Sequence, residues 1–209
     1  MNPVAHAIDL AVKAGLLGAL RDAGFRGTAR DFHRSRGPVT DAVNIQASRS
    51  NAGEKGRFTV NLGIYLPGVE AILRGAPLTN PPCEVDCTVR VRLASVAPGG
   101  GDGWWAVGTG VDPSVVGREV GETMTRFGVP WLDAVTGPAD VARRGLPCTD
   151  LTRAAILLVS GLREETIDLM RGNVLRSSAA WAAWRGLAER TGLLDHFLAA
   201  RHDARSAVP

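Results

Sequence analysis

From Phe58 to Leu66 the chain alternates. Phe58, Val60, Leu62, Ile64 and Leu66 are apolar, and Thr59, Asn61, Gly63 and Tyr65 stand between them. Five apolar positions at period two mark a strand that buries one face and turns a polar face the other way. Each large side chain so buried contributes roughly 1.5–3 kcal/mol, which makes this strand the natural centre of a small sheet. Pro67 ends it, because proline has no N–H to give to the ladder.

The same period recurs on either side. Residues 27–35 and 40–48 read as neighbouring strands joined through Arg36-Gly37-Pro38. In the second of them Val43, Ile45 and Ala47 share one face, and Ala42, Asn44, Gln46 and Ser48 the other. Residues 87–95 form a fourth strand with Val89, Val91 and Leu93 inward and Arg90 and Arg92 outward. A glycine-rich turn, Pro98 to Gly103, leads into a fifth at 104–107, where Trp104 and Trp105 point to opposite faces, one to the core and one over the polar side. On strand one, Arg30, Phe32 and Arg34 are expected on that polar side.

Elsewhere the period is helical. Ile8, Val12, Leu16 and Leu20 recur every four residues, which predicts a helix over 4–23 stopped by Gly24. A short helix over 69–74 precedes a proline-rich crossing segment, Pro77 to Pro82. Asp112-Pro113 supplies an N-cap and a first-turn proline for a helix expected to reach Phe127 and stop at Gly128 and Pro130. Beyond Pro147 a helical hairpin is expected, 151–158 against 163–170, then a last helix over 179–194 and a disordered tail from His202.

These elements predict an α+β fold: an N-terminal helix packed on an antiparallel meander of about five strands, followed by a helical part. The expected division is an α+β domain over 1–135 and a helical extension over 136–209 packed on it.

Composition adds constraints. Of the 209 residues 45% are hydrophobic and 22% charged, ordinary for a globular chain. Asp9 and Lys13 interrupt the apolar N-terminal stretch, so neither a signal peptide nor a membrane span is expected. Cys83, Cys87 and Cys148 are too few for a disulfide framework, which points to a reduced, cytoplasmic setting. The net charge of +3 is concentrated in residues 26–57, where seven basic residues face three acidic ones.

Several phrases occur together in order: Gly24-Phe25, Phe32-His33-Arg34, Val43-Asn44-Ile45-Gln46, Phe58 to Tyr65, Trp104-Trp105 and Val129-Pro130-Trp131-Leu132. In these, residues 5–135 resemble the bacterial domain-of-unknown-function family 4304. The resemblance implies an α+β order and draws attention to Asn44, Gln46, Asn61 and Tyr65. It implies no activity, substrate or catalytic residue.

Strand alternation gathers Asn44, Gln46, Asn61, Tyr65, Arg90 and Arg92 on one face, the candidate binding site. Guanidinium groups grip carboxylate or phosphate, and amides fix orientation, so the set suits an anionic or polar ligand, or a protein. The plainer alternatives are a solvated sheet face, or a polar layer covered by the C-terminal helices. Neutral amides do not titrate near neutral pH, so binding is favoured over acid–base catalysis. The chain lacks G-x-S-x-G, H-E-x-x-H and G-x-x-x-x-G-K-[ST]. Cys83 and Cys87 would stand roughly 13 Å apart if extended, too far for one metal. No cofactor, metal or membrane is therefore expected. A non-catalytic binding protein leads. A nucleic-acid binder using segment 26–57 with Arg90 and Arg92 comes second, and an enzyme with an unfamiliar site third.

Overall fold

In the computed structural model residues 2–28, 30–101 and 103–206 are described. The chain forms two compact units: Met1–Tyr65 with Asn80–Thr136, and Leu66–Thr79 with Gly137–Pro209.

The first unit is built on six antiparallel strands: β1 (Arg26–Thr28), β2 (Asp31–Arg36), β3 (Val39–Ala47), β4 (Lys55–Tyr65), β5 (Val89–Arg92) and β6 (Trp105–Gly108). The order is β1-β2-β3-β4-β5, and β6 also pairs with β4, at its Lys55–Phe58 end. β4 is central, as its alternation predicts. Phe58, Val60, Leu62 and Ile64 are at most 1% exposed. The N-terminal helix, Pro3–Asp22, packs on this apolar face through Val4, Ile8, Ala11, Val12, Leu16 and Leu20. By length and composition that helix could cross a membrane, with a mean hydropathy of 1.3. Its apolar stripe is instead used inside the unit.

The helix that Asp112 caps, Pro113–Thr123, crosses the N-terminal helix at glycines. A Cβ on Gly117 would meet the Ala11 carbonyl, and one on Gly15 the Gly117 carbonyl, so the two backbones touch. Both helices carry a wide π turn beside or near the crossing, Val12–Leu16 and Met124–Gly128.

Several boundaries differ from expectation. Residues 27–35 are not one strand: the chain reverses between Thr28 and Asp31, so β1 and β2 form a hairpin. β5 is shorter than 87–95, because Leu93–Val96 turns helical. The Pro113 helix does not stop at Gly128 and Pro130. The π turn widens the ladder ahead of Pro130, where its ring would strike a carbonyl, and the chain continues as Val129–Asp133.

The second unit is helical: Pro67–Arg74, Pro138–Arg143, Asp150–Val159, Arg163–Arg176, Trp181–Thr191 and Leu194–Ser206. The hairpin forms as the pattern predicts, with Thr149 Oγ1 accepting from the Thr152 N–H at 3.1 Å. Arg190 donates to the carbonyls of Ile72 and Leu73 and so caps the Pro67–Arg74 helix. The expected last helix forms as Trp181–Thr191, stopped at Gly192 (φ +67°), and an unexpected further helix, Leu194–Ser206, follows, so the segment holds two helices. His202 to Ser206 belong to the second of them rather than to a disordered tail; residues 207–209 lie outside the described residues.

Candidate functional site

Register fixes which side chains share the face of β4 opposite the N-terminal helix. Asn44 stands opposite Asn61 and Gln46 opposite Thr59; across the other side Arg92 stands opposite Asn61 and Arg90 opposite Gly63. Directly opposed residues project to the same side. Five of the six predicted residues therefore meet: Asn44, Gln46, Asn61, Arg90 and Arg92. From β2 the residue opposite Asn44 is Asp31. Arg30, Phe32 and Arg34 are not on this side. Phe32 is buried opposite Val43, and Arg34 is opposite Asp41 on the apolar face. One residue of parity, set by the hairpin before β2, reverses the strand's faces.

The amides form a chain with a direction. Asn44 Nδ2 donates to Asp31 Oδ1 at 2.8 Å. Asn61 Nδ2 donates to Asn44 Oδ1 at 3.3 Å and to Gln46 Oε1 at 2.9 Å. An ionised carboxylate only accepts, so Asp31 turns the Asn44 nitrogen toward itself and the Asn44 oxygen toward Asn61. With its oxygen taken by Asn61, exposed Gln46 keeps its two Nε2 hydrogens for whatever stands over the sheet.

Arg90 and Glu84 pair through two bonds, Nε to Oε1 at 2.7 Å and Nη2 to Oε2 at 3.2 Å. Glu84 is 5% exposed and comes from the single turn Glu84–Asp86, which packs against β4. The hydrogen bond to Glu84 holds the Arg90 guanidinium pKa above its ordinary value. Arg92 is held differently: its guanidinium lies over the Trp104 ring, 4.9 Å from the centroid, and Arg57 lies over the same ring at 4.9 Å. Trp105 points the other way, 6.0 Å from Phe58 in the core.

These groups border two hollows. One, of about 480 Å³, is lined by Gln46, Asn61, Arg90, Arg92, Ser95 and Gly101 among others. The second, of about 390 Å³, includes Asp31, Asn44, Arg49 and Cys83. Gln46, Glu84 and Arg90 line both and form the ridge between them. Within the first unit the helices after Asp112 pack against the N-terminal helix and the apolar face of β6, so they leave these hollows uncovered.

Tyr65 lies apart from the other five. It is 3% exposed, clusters with Ala42 and Cys87, and lines neither hollow. Burial and the nearby Glu84 and Asp86 push the Cys87 thiol well above its ordinary pKa, so it stays protonated. Desolvation also raises the Cys83 thiol, despite its exposure. Among the described residues no group of three or more His, Cys, Asp or Glu side chains converges as a metal would require.

Sequence reasoning missed three parts of the site: Asp31, Glu84 and the Arg57–Trp104 contact. Asp31 had a signal, since placing Phe32 inward puts its neighbour outward. Glu84 follows a proline-rich segment with no periodicity, and nothing in its spacing points to Arg90.

The fold and site define a class: an α+β protein on an antiparallel sheet whose second face is polar and bordered by guanidinium groups. The chain matches the model of the domain of unknown function DUF4304 over residues 17–134, and it belongs to that family. All the residues of the polar face lie within this span, and the second unit's Gly137–Pro209 lies beyond it. No curated protein and no solved structure matches the chain significantly.

Proposed function

We propose that the protein is a non-catalytic binding protein that takes an acceptor-rich, anionic ligand on the polar sheet face. The amide chain carries this reading. Asp31 fixes its direction, and its far end presents the Gln46 N–H groups beside the guanidinium groups of Arg90 and Arg92. Donors held in place before binding lower the ordering cost, with Arg90 fixed by Glu84, and they favour acceptor-rich ligands over donor-rich ones. The chain's three free thiols support a reduced, cytoplasmic setting as part of the same reading.

A nucleic acid is the weaker partner for this surface. Three of the seven basic residues in 26–57 are paired with carboxylates on the other side of the sheet: Arg30 with Asp9, Arg34 with Asp133 and Asp41, and Arg36 with Asp41. What remains is a local cluster rather than a stripe along a backbone path.

Calorimetric titration at low salt tests the proposal, with inorganic phosphate, sulfate and acetate against ethylammonium and glucose. The anions are expected to bind and the cation and sugar not to. Arg92→Ala is expected to weaken anion binding about tenfold, the scale of one charge-assisted hydrogen bond. Equal, absent or Arg92-independent binding of the anions would reject this function.

A further inference from the structure

The contact of Trp104 with Arg57 and Arg92 goes beyond anion binding. Arg92 is level with Asn61, four residues along β4 from Arg57, a separation of roughly 13 Å at the strand rise. Two guanidinium groups anchored that far apart reach one indole from opposite directions along the strand, each 4.9 Å from its centroid. The result is a row of three flat groups standing on the polar face.

A guanidinium has two kinds of surface. Its rim carries N–H donors, and its faces are weakly hydrated and stack on rings. Arg92 lines the 480 Å³ hollow and Trp104 does not, so Arg92 brings the end of this row to the hollow's wall. Val91 and Gly101 line the same hollow and add apolar and backbone surface next to the donors. A bare ion fills only a small part of this space, whereas organic ligands occupy pockets of about 300–1,000 Å³.

Resting on the binding function proposed above, we infer that the ligand is an aromatic anion, a planar ring carrying a phosphate or carboxylate. The ring lies on the Arg92 face, and its charged group meets the Gln46 amide. The hollow is thus a site for a flat, ring-bearing acid rather than for a free ion.

The test compares affinities of the full chain for adenosine monophosphate, benzoate, inorganic phosphate, acetate and adenosine, by calorimetry with ligand-observed saturation-transfer NMR. At least one ring-bearing anion is expected to bind at least tenfold more tightly than the matching bare anion, with transfer to its ring protons. Preference for the monophosphate or for benzoate identifies the acid. Arg92→Lys keeps the charge and removes the flat face, so it is expected to abolish the tenfold gain while bare-anion binding persists. Trp104→Leu, checked for folding by circular dichroism, is expected to do the same. Bare anions binding as tightly as their ring-bearing counterparts would overturn this inference and leave anion binding standing. No binding by any anion would overturn both.

Discussion

Asn44 Nδ2 lies 2.8 Å from Asp31 Oδ1, a bond between directly opposed residues of β2 and β3. Asp31 lies outside the donor-lined hollow, yet through this bond it sets which atom Gln46 offers there.

Asp31→Ala therefore sets two effects against each other. Removing a negative charge favours an anion by only about 0.4 kcal/mol where the two stand roughly 10 Å apart in water. Releasing the amide chain forfeits an oriented donor, about 0.5–1.5 kcal/mol. The second wins, so phosphate affinity measured by calorimetry should fall a few-fold. A rise in affinity would show that Asp31 acts only as a charge.

The contrast between Asp31 and Arg34 shows how much of this was legible. The period-two run of β4 placed Asn61 and the buried apolar row correctly, because alternation within a strand needs no knowledge of its neighbours. Asn44, Gln46, Arg90 and Arg92 followed from the same rule. The face of β2 depended on a reversal between Thr28 and Asp31 whose mark among the described residues is Gly27, at φ +152° and tight against the Asp31 carbonyl. The ridge made by Glu84 and Arg90 joins a turn to a strand, and neither residue's pattern names the other. Long-range pairing, rather than local preference, set what was missed.

Two glycines of the N-terminal unit give a matched pair. Gly117→Ala gains up to about 1 kcal/mol of helix propensity but drives a methyl into the Ala11 carbonyl, where overpacking costs about 1–3 kcal/mol or more. Gly18 has nothing within 4 Å of a Cβ, so Gly18→Ala should keep the gain. Urea melts should therefore move in opposite directions. A stabilised Gly117→Ala protein would refute the backbone crossing.

Cys87 gives the fold an alkaline limit. Burial first, then Glu84 and Asp86, raise its pKa above the ordinary 9.0, so the folded chain holds this proton when the unfolded chain has lost it. Stability from this group is complete below about pH 9 and is lost as pH rises beyond it, by about 1.4 kcal/mol for each pH unit. Melts between pH 8 and 10.5 should show that slope, and Cys87→Ala should flatten it. Cys83 and Cys148, also raised by burial, leave a smaller residual slope. An unchanged slope would place the alkaline loss elsewhere.

Asp41 is a buried carboxylate of the sheet, fully inaccessible and gripped by two arginines. Arg36 holds it with Nε at 2.7 Å and Nη2 at 2.9 Å, and Arg34 adds Nε at 3.0 Å and Nη2 at 2.7 Å. Arg36 also donates to the carbonyls of Leu132 and Val135, and Arg34 to that of Ala23, so the carboxylate orients two clamps on helix ends. Asp41→Ala leaves Arg36 without its carboxylate and Arg34 with Asp133 alone, and breaking such a network by removing one partner costs about 3–5 kcal/mol. Arg34→Ala should cost less, because the two-bond grip of Arg36 survives. If the carboxylate is what makes Arg34 favourable, the double variant should be no worse than Asp41→Ala alone by more than about 1 kcal/mol, a coupling that urea melts of the four proteins measure. Additive losses would mean that Arg34 stabilises the unit through Asp133, whose Oδ1 lies 2.7 Å from its Nη2, the Ala23 carbonyl and the Phe25 ring, 4.7 Å from its guanidinium, rather than through Asp41.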